Sequence, residues 1–112
     1  MAKVFIPQTP SRRVGGAWVS KYDLSPAEAF GRLVHLNPPG MLTQKSLLRV
    51  LPMFRDGLRD FGPDDSIMAV GDPIAISVAV YYAAQGHLSD GTVHILRFDR
   101  HAKAYKRLAV KL

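Results

Sequence analysis

The chain has no cysteine among its 112 residues, which excludes disulfide bonds, thiolate zinc sites and a cysteine nucleophile. No stretch comes near the roughly 20 apolar residues that a membrane-spanning helix needs. The apolar run at residues 4–6 is too short for a signal peptide. We therefore expect a cytosolic protein. Because a chain of this length has room for one hydrophobic core, residues 1–112 are expected to form a single domain.

Positive charge is concentrated at the end of the chain. Residues 91–112 contain six basic side chains and one acidic side chain, whereas residues 41–90 contain four basic and six acidic side chains. A basic segment beside a nearly neutral body can attract phosphate groups or an acidic protein surface. The same charge also keeps a small domain in solution, so charge alone does not identify a partner.

Short apolar runs alternate with helical patterns, which predicts an α/β domain with parallel strands joined by right-handed crossovers. The sheet is expected to be mostly parallel, with two main helices, one short helix and a C-terminal antiparallel β-hairpin. Strands are predicted at residues 4–6, 33–36, 66–70, 93–98 and 105–112.

Three local features lead to further structural predictions. Residues 11–21, with a turn marked by Gly-Gly, are typical of a loop, in which Trp18-Val19 could pair briefly with another segment. Ser25 and Glu28 have the spacing of a capping box that begins the short helix. Thr43 is the predicted cap of the next helix, which Pro52 is expected to kink or split.

Residues 74–84 fit two structures. Their alternating β-branched residues suggest a strand, but Asp72-Pro73 before them is a typical helix start, and we favour a helix. No charged side chain occurs from residue 73 to residue 86. Because a helix that is apolar all round must be covered all round, this one is a candidate oligomer interface, unless neighbouring elements cover it. The predicted interface residues are Ile74, Val78, Tyr81 and Tyr82.

In a parallel sheet the carboxyl ends of the strands lie on one rim, where ligands often bind. This rim is predicted to collect a candidate small-ligand or nucleotide site of Asn37, Gly71, Asp72, Asp99 and Arg100. The alternative is that Gly71-Asp72-Pro73 only caps a helix. No nucleotide-binding glycine motif or metal-ligand spacing is present, so no cofactor and no metal are expected. Asp99 and His101 could act as an acid–base pair, but no nucleophile accompanies them, and enzymatic activity is not favoured.

The final strands carry the densest group of basic residues. Basic side chains beside an exposed aromatic ring can bind a nucleic-acid backbone and stack on a base. The alternative is that these charges protect an edge strand from aggregation. The candidate residues for binding nucleic acid or a partner protein are Arg97, Arg100, Lys103, Tyr105, Lys106, Arg107 and Lys111.

Several segments along nearly the full chain resemble small proteins encoded by tailed bacteriophages, the T7-like podoviruses among them. These segments are residues 4–8 with Arg12, residues 23–27 with Phe30-Gly31, residues 70–73, and residues 95–100 with Tyr105. The resemblance implies a phage protein acting in the cytoplasm of a bacterial host. Those proteins have no assigned activity, so the resemblance implies no functional residues.

The sequence thus predicts a non-enzymatic phage-type protein that binds nucleic acid or a host protein through its basic C-terminal hairpin. One alternative is a small-ligand or nucleotide site at the strand rim. The other is a homo-oligomeric structural or interaction protein.

Overall fold

A computed structural model describes residues 2–37, 42–85 and 91–112. Within these residues the chain forms two sheets, two α-helices and one short 3₁₀ helix. The elements are β1 (Lys3–Ile6), β2 (Ser11–Val14), β3 (Ala17–Ser20), the 3₁₀ helix (Ser25–Phe30), β4 (Arg32–His35), α1 (Gln44–Gly57), β5 (Ser66–Met68), α2 (Pro73–Ala84), β6 (Thr92–Asp99) and β7 (Ala104–Lys111). No helix in the described residues is both long and apolar enough to cross a membrane.

The main sheet has the strand order β4-β1-β5-β6-β7. All neighbours pair in parallel except β6 and β7, which form the antiparallel C-terminal hairpin. The predicted α/β class, mostly parallel sheet and reversed last strand are therefore confirmed. From β1 the chain crosses to β4 on one side and then returns past β1 to β5 on the other. This reversal between β1 and β5 is the topological switch point of a doubly wound sheet.

The sheet has a hydrophobic layer on each face. On one face α1 and α2 pack against Phe5, Ile67 and Val93, and on the other the 3₁₀ helix packs through Ala27. Leu96 belongs to the second layer although its neighbour Ile95 faces the first, as the alternation of a strand requires. Both faces of the central strands are therefore covered.

Helix α1 begins as predicted but is not split at Pro52. Thr43 Oγ1 accepts the Ser46 N–H at 3.2 Å, and Ser46 Oγ accepts the Thr43 N–H at 2.8 Å. The helix then continues through Pro52 as one element. Val50 and Phe54, on either side of the proline, are both buried. Packing of this face therefore outweighs the hydrogen bond that the proline removes.

The capping box predicted at Ser25 and Glu28 is wrong. The N-cap is Leu24, which makes no side-chain cap hydrogen bond, and Ser25 is the first residue of a 3₁₀ helix. Asp23 Oδ1 accepts the Ser25 N–H at 3.0 Å instead. An aspartate two residues earlier thus satisfies a free amide at the helix start.

The loop predicted over residues 11–21 is also wrong, because β2 and β3 pair there as an antiparallel hairpin, hereafter the ribbon. Gly15 and Gly16 form its turn with φ of 57° and 81°, as a two-residue hairpin turn with two positive φ angles requires. Every ribbon residue in β2 and β3 except Ser11 is exposed. Since neither face is buried, no alternation of apolar and polar residues signals these strands.

The helix predicted after Asp72-Pro73 is confirmed as α2. Asp72 Oδ1 accepts the Ile74 N–H at 2.9 Å, and Pro73 occupies the first turn. Ala75, Ala79 and Ala83 form the buried stripe of the helix. These small side chains bring the helix backbone close to the sheet. The β-branched residues therefore lie on the remaining faces of a helix rather than on alternate faces of a strand.

Candidate functional site

An open groove of about 1260 Å³ lies at the switch point, where β1, β5 and β6 end. The ribbon and the segment after it form one wall, and the tip of the C-terminal hairpin forms the other. The carboxyl rim of the sheet lies between them. The residues that line the groove are Gln8, Thr9, Pro10, Ser11, Trp18, Lys21, Tyr22, Asp23, Leu24, Leu42, Ala69, Val70, Gly71, Asp72, Pro73, Arg97, Phe98, Arg100 and Tyr105.

Close backbone contact between the segments after β1 and β5 shapes the base of the groove. Gly71 has a φ of 94°, and a Cβ at this position would overlap the carbonyl oxygen of Gln8. The Gln8 side-chain oxygen accepts the Asp72 N–H at 3.0 Å. Gly71 therefore allows the two segments to meet, which only a residue without a side chain permits here.

The Asp72 carboxylate is occupied by two backbone amides. One oxygen accepts the Ile74 N–H at 2.9 Å, and the other accepts the Leu42 N–H at 3.3 Å. Asp72 therefore both caps α2 and fixes the segment that precedes α1. A phosphate at the start of α2 would have to compete with this carboxylate, so Gly71-Asp72-Pro73 acts here as a structural cap.

Four aromatic rings line the groove, on both of its walls. Trp18 is 46% exposed and Tyr22 62% exposed on one wall, and Phe98 is 47% exposed on the other. The Phe98 and Tyr105 rings meet edge to face with centroids 5.4 Å apart. Tyr105 thus supports Phe98, while the exposed rings keep apolar area in contact with solvent.

Three cations and two carboxylates accompany these rings. Lys21, Arg97 and Arg100 line the groove together with Asp23 and Asp72. Hydrogen bonds from the Ser25 amide and hydroxyl lower the pKa of Asp23. Both carboxylates thus serve as acceptors for the backbone, whereas none of the three cations forms an ion pair within the described residues.

Tyr105 is the least exposed of the four aromatic groups. Burial raises the pKa of Tyr105, and the nearby negative charge of Asp23 raises it further. The phenol is therefore neutral at physiological pH. It can donate a hydrogen bond into the groove but provides no anionic nucleophile.

Of the five residues predicted for the rim, the fold brings Gly71, Asp72 and Arg100 together in the groove. Asn37 and Asp99 do not line it. Asn37 is buried at the end of β4, and its Nδ2 has no hydrogen-bond partner among the described residues.

Asp99 instead holds the turn of the C-terminal hairpin. Its Oδ1 accepts the N–H groups of His101 and Ala102 at 2.9 and 3.2 Å. Its other oxygen pairs with Lys106 Nζ at 3.0 Å. The hydrogen bond from Lys106, with those from the two amides, lowers the pKa of Asp99. These contacts leave the carboxylate as a structural acceptor rather than as the base of a catalytic pair with His101.

The predicted basic surface of the hairpin divides into separate groups. Arg97, Arg100 and Tyr105 line the groove, and Lys103 lies in the turn with a φ of 52°. Lys106 pairs with Asp99, as described. Lys111 lies opposite Thr92 at the far end of the hairpin. The seven residues therefore do not form one continuous binding face.

Arg107 connects β7 to the start of β5. Its Nε donates to Ser66 Oγ at 2.9 Å, and its Nη2 donates to the Pro63 carbonyl at 2.9 Å and to the Asp65 carbonyl at 3.4 Å. Ser66 is fully buried. Most of the guanidinium donors are therefore used to hold the edge strand against the sheet.

The predicted interface residues on α2 differ in exposure. Ile74 and Tyr81 are exposed, whereas Val78 and Tyr82 pack against the hydrophobic core. Tyr81 and Tyr82 also contact each other edge to face. The oligomer interface stays a prediction, with Ile74 and Tyr81 as the positions that a second molecule could reach.

Sequence reasoning missed the wall of the groove opposite the hairpin, which contains Trp18, Lys21 and Tyr22. The available signal was the Gly15-Gly16 pair between two four-residue segments, which is typical of a tight hairpin turn.

Across the described parts of the chain, no three histidine, aspartate or glutamate side chains are grouped so that they could hold a metal ion.

Fold and groove together define a small doubly wound α/β domain with an open aromatic and basic groove at its switch point. Residues 2–112 match the family model described as Phage Pam3 gp32-like protein, and the chain belongs to this family. The resemblance to small bacteriophage proteins is thereby confirmed. The description of the family states no activity. No curated protein and no solved structure matches the chain.

Proposed function

We propose that this phage protein binds single-stranded nucleic acid in the groove at the carboxyl rim of the sheet. The observation that carries the proposal is the combination of exposed aromatic rings on both walls with Lys21, Arg97 and Arg100 in one open channel. Aromatic rings stack on bases of any sequence, and cations follow the phosphate backbone. Sites for single strands in other proteins combine these two features.

The size and openness of the groove favour a polymer over a small molecule. Its volume of about 1260 Å³ exceeds the roughly 300–1,000 Å³ of most small-molecule sites. The amides at the start of α2 that could bind the phosphate of a nucleotide are occupied by Asp72. Neither wall therefore provides a closed pocket for one small anion.

Single strands are favoured over duplexes by the position of the aromatic groups. Trp18 belongs to the ribbon that follows β1 and Phe98 to the end of β6, on the two sides of β5, and both line the groove. We expect these rings to reach only bases with exposed faces. Bases in a duplex are stacked on one another and cannot meet these rings without being unpaired.

The proposal restricts the predicted basic surface to the part of the C-terminal hairpin that lies near the groove. Arg97 and Arg100 contact phosphates, and Phe98, supported by Tyr105, stacks on a base. Lys106 and Arg107 act mainly in the fold through their contacts with Asp99 and Ser66. Lys111 belongs to the opposite end of the hairpin.

The test is the fluorescence anisotropy of a labelled oligothymidine of about 12 nucleotides, within the range of about 4–16 that one small domain covers. We expect the affinity to fall as salt rises. Arg97→Gln with Arg100→Gln should reduce the slope of log affinity against log salt by about 1.4, at about 0.7 for each lost phosphate contact. Phe98→Ala should weaken binding by about 1–3 kcal/mol at constant salt.

The matched control is Arg32→Gln with Lys111→Gln, which removes the same charge from the opposite rim of the sheet. We expect this control to change the slope little. If the slope fell equally in the two double variants, net charge alone would explain the effect, and a site in the groove would be contradicted. Binding of a single mononucleotide as tightly as the oligonucleotide would indicate a small-ligand site instead.

A further inference from the structure

The stability of the fold does not explain the exposed side chains of the ribbon. Its strands are exposed on both faces apart from Ser11, and an isolated two-stranded hairpin is only marginally stable in water. The ribbon is anchored at its base, where the Lys21 N–H donates to the Pro10 carbonyl at 2.7 Å. The hydrophobic core therefore places no demand on the exposed side chains of the ribbon.

The two faces of the ribbon differ in composition and position. Arg13 pairs with Trp18, and Arg12 pairs with Val19 on the opposite face. Trp18 lines the groove together with Ser11. Because side chains alternate along a strand, Arg13 shares the face of Ser11 and Trp18. Arg12 therefore points away from the groove although it is adjacent to Arg13 in the chain.

The Arg13 guanidinium lies over the indole ring of Trp18. Its guanidinium carbon lies 5.5 Å from the centroid of the Trp18 ring, and its Nη2 donates to the Gly16 carbonyl at 3.2 Å. This distance is typical of a cation–π contact. The contact restricts the ring while 46% of Trp18 stays exposed. An indole held in this way loses little further freedom when a flat group stacks on it.

We propose that the groove-facing side of the ribbon is a clamp for the nucleic acid, with Trp18 stacking on a base and Arg13 contacting the adjoining phosphate. The clamp rests on the proposed function, because it acts on the strand in the groove. It closes from the wall opposite Phe98, so that two rings hold the strand from two sides. The outer face, with Arg12 and Val19, takes no part.

The chain contains a single tryptophan, so selectively excited tryptophan emission reports on the clamp alone. We expect oligothymidine to quench the emission of Trp18 in a saturable titration that follows the anisotropy of the labelled oligonucleotide. Trp18→Ala should lower the affinity about tenfold, the size of one base–aromatic stack. Trp18→Phe, which keeps a stacking ring, should restore most of the lost affinity.

Arg13→Gln and Arg12→Gln form the matched pair, since they remove the same charge from adjacent positions on opposite faces. Arg13→Gln should weaken binding several-fold more than Arg12→Gln. Both variants should keep the thermal unfolding midpoint of the parent protein, because both residues are exposed outside the core.

The outcomes separate the clamp from the proposed function. If oligothymidine binds and depends on Arg97 and Arg100, but Trp18 emission is unchanged and the two arginine variants are equal, the clamp is wrong and the proposed function stands. If oligothymidine does not bind at low salt by either measurement, both are wrong.

Discussion

The two β-hairpins of this protein are both pairs of antiparallel strands, but only one of them packs against the hydrophobic core. The C-terminal hairpin is part of the main sheet, and Val93 and Leu96 on β6 are fully buried on opposite faces. The ribbon lies outside the sheet and buries neither face. Tertiary packing therefore stabilises the first hairpin, whereas the second depends on its turn and on contacts within itself. The comparison indicates that side chains of the ribbon are free to serve binding.

The largest expected effect on stability comes from truncating Leu96 in the C-terminal hairpin, compared with truncating Val19 in the ribbon. Leu96→Ala removes a fully buried side chain from the core and should lower the free energy of unfolding by about 2–5 kcal/mol. Val19→Ala on the outer face of the ribbon should change it by less than about 0.5 kcal/mol. Chemical denaturation of both variants provides the measurement. A similar loss in the two variants would show that the ribbon packs on the core after all.

A smaller effect is expected where the edge strand is attached. Arg107→Lys keeps the charge but cannot reproduce the contacts with Ser66 and the Pro63 and Asp65 carbonyls. It should lower the free energy of unfolding by about 1–2 kcal/mol, because the buried Ser66 hydroxyl loses its partner. Lys111→Arg, on the same face of β7, is the control and should be neutral. If Arg107→Lys is as stable as the parent, Arg107 is not a structural residue and becomes available to a ligand.

The smallest expected effect concerns the two turns. Asp99 holds the turn of the C-terminal hairpin, and its pKa is lowered from the ordinary value of about 3.8 by Lys106 and by the His101 and Ala102 amides. The contribution of Asp99 is therefore complete above pH 3.8 and is lost as the pH falls through the lower pKa of the folded state. The two-glycine turn of the ribbon contains no titrating group.

NMR chemical shifts measure this difference directly. The amide signals of His101 and Ala102 should titrate with a midpoint below 3.8, while those of Gly15 and Gly16 should not follow it. Asp99→Asn should abolish the titration of the first pair. A midpoint at or above the ordinary value would contradict the arrangement of Asp99 and Lys106.

The elements that local chemistry specifies were predicted well from the sequence. Asp72-Pro73 correctly indicated a helix against the β-branched alternation that follows it, since the cap and the proline act within one turn. Thr43 was predicted as a cap for the same reason. Alternation of strands and helices was enough to predict the parallel sheet, because a parallel pair needs a crossover.

The ribbon and its wall of the groove were not predicted. Strand signals depend on one face being buried, and residues 11–14 and 17–20 bury almost nothing. Strand direction alone places Gly71 and Arg100 at the same edge, and both line the groove. The Asp99 carboxylate instead turns back to Lys106 and to its own turn.

The sequence by itself determined the starts of α1 and α2 and the mostly parallel direction of the strands, because a cap acts within one turn and a parallel pair needs a crossover. Only the tertiary structure decided that β1 and β5 are neighbours, that Arg107 reaches Ser66, and that Trp18 and Phe98 share one groove. These contacts join residues far apart in the chain. Such pairs meet only when both faces of the sheet are packed, and no local pattern encodes which distant segments will do so.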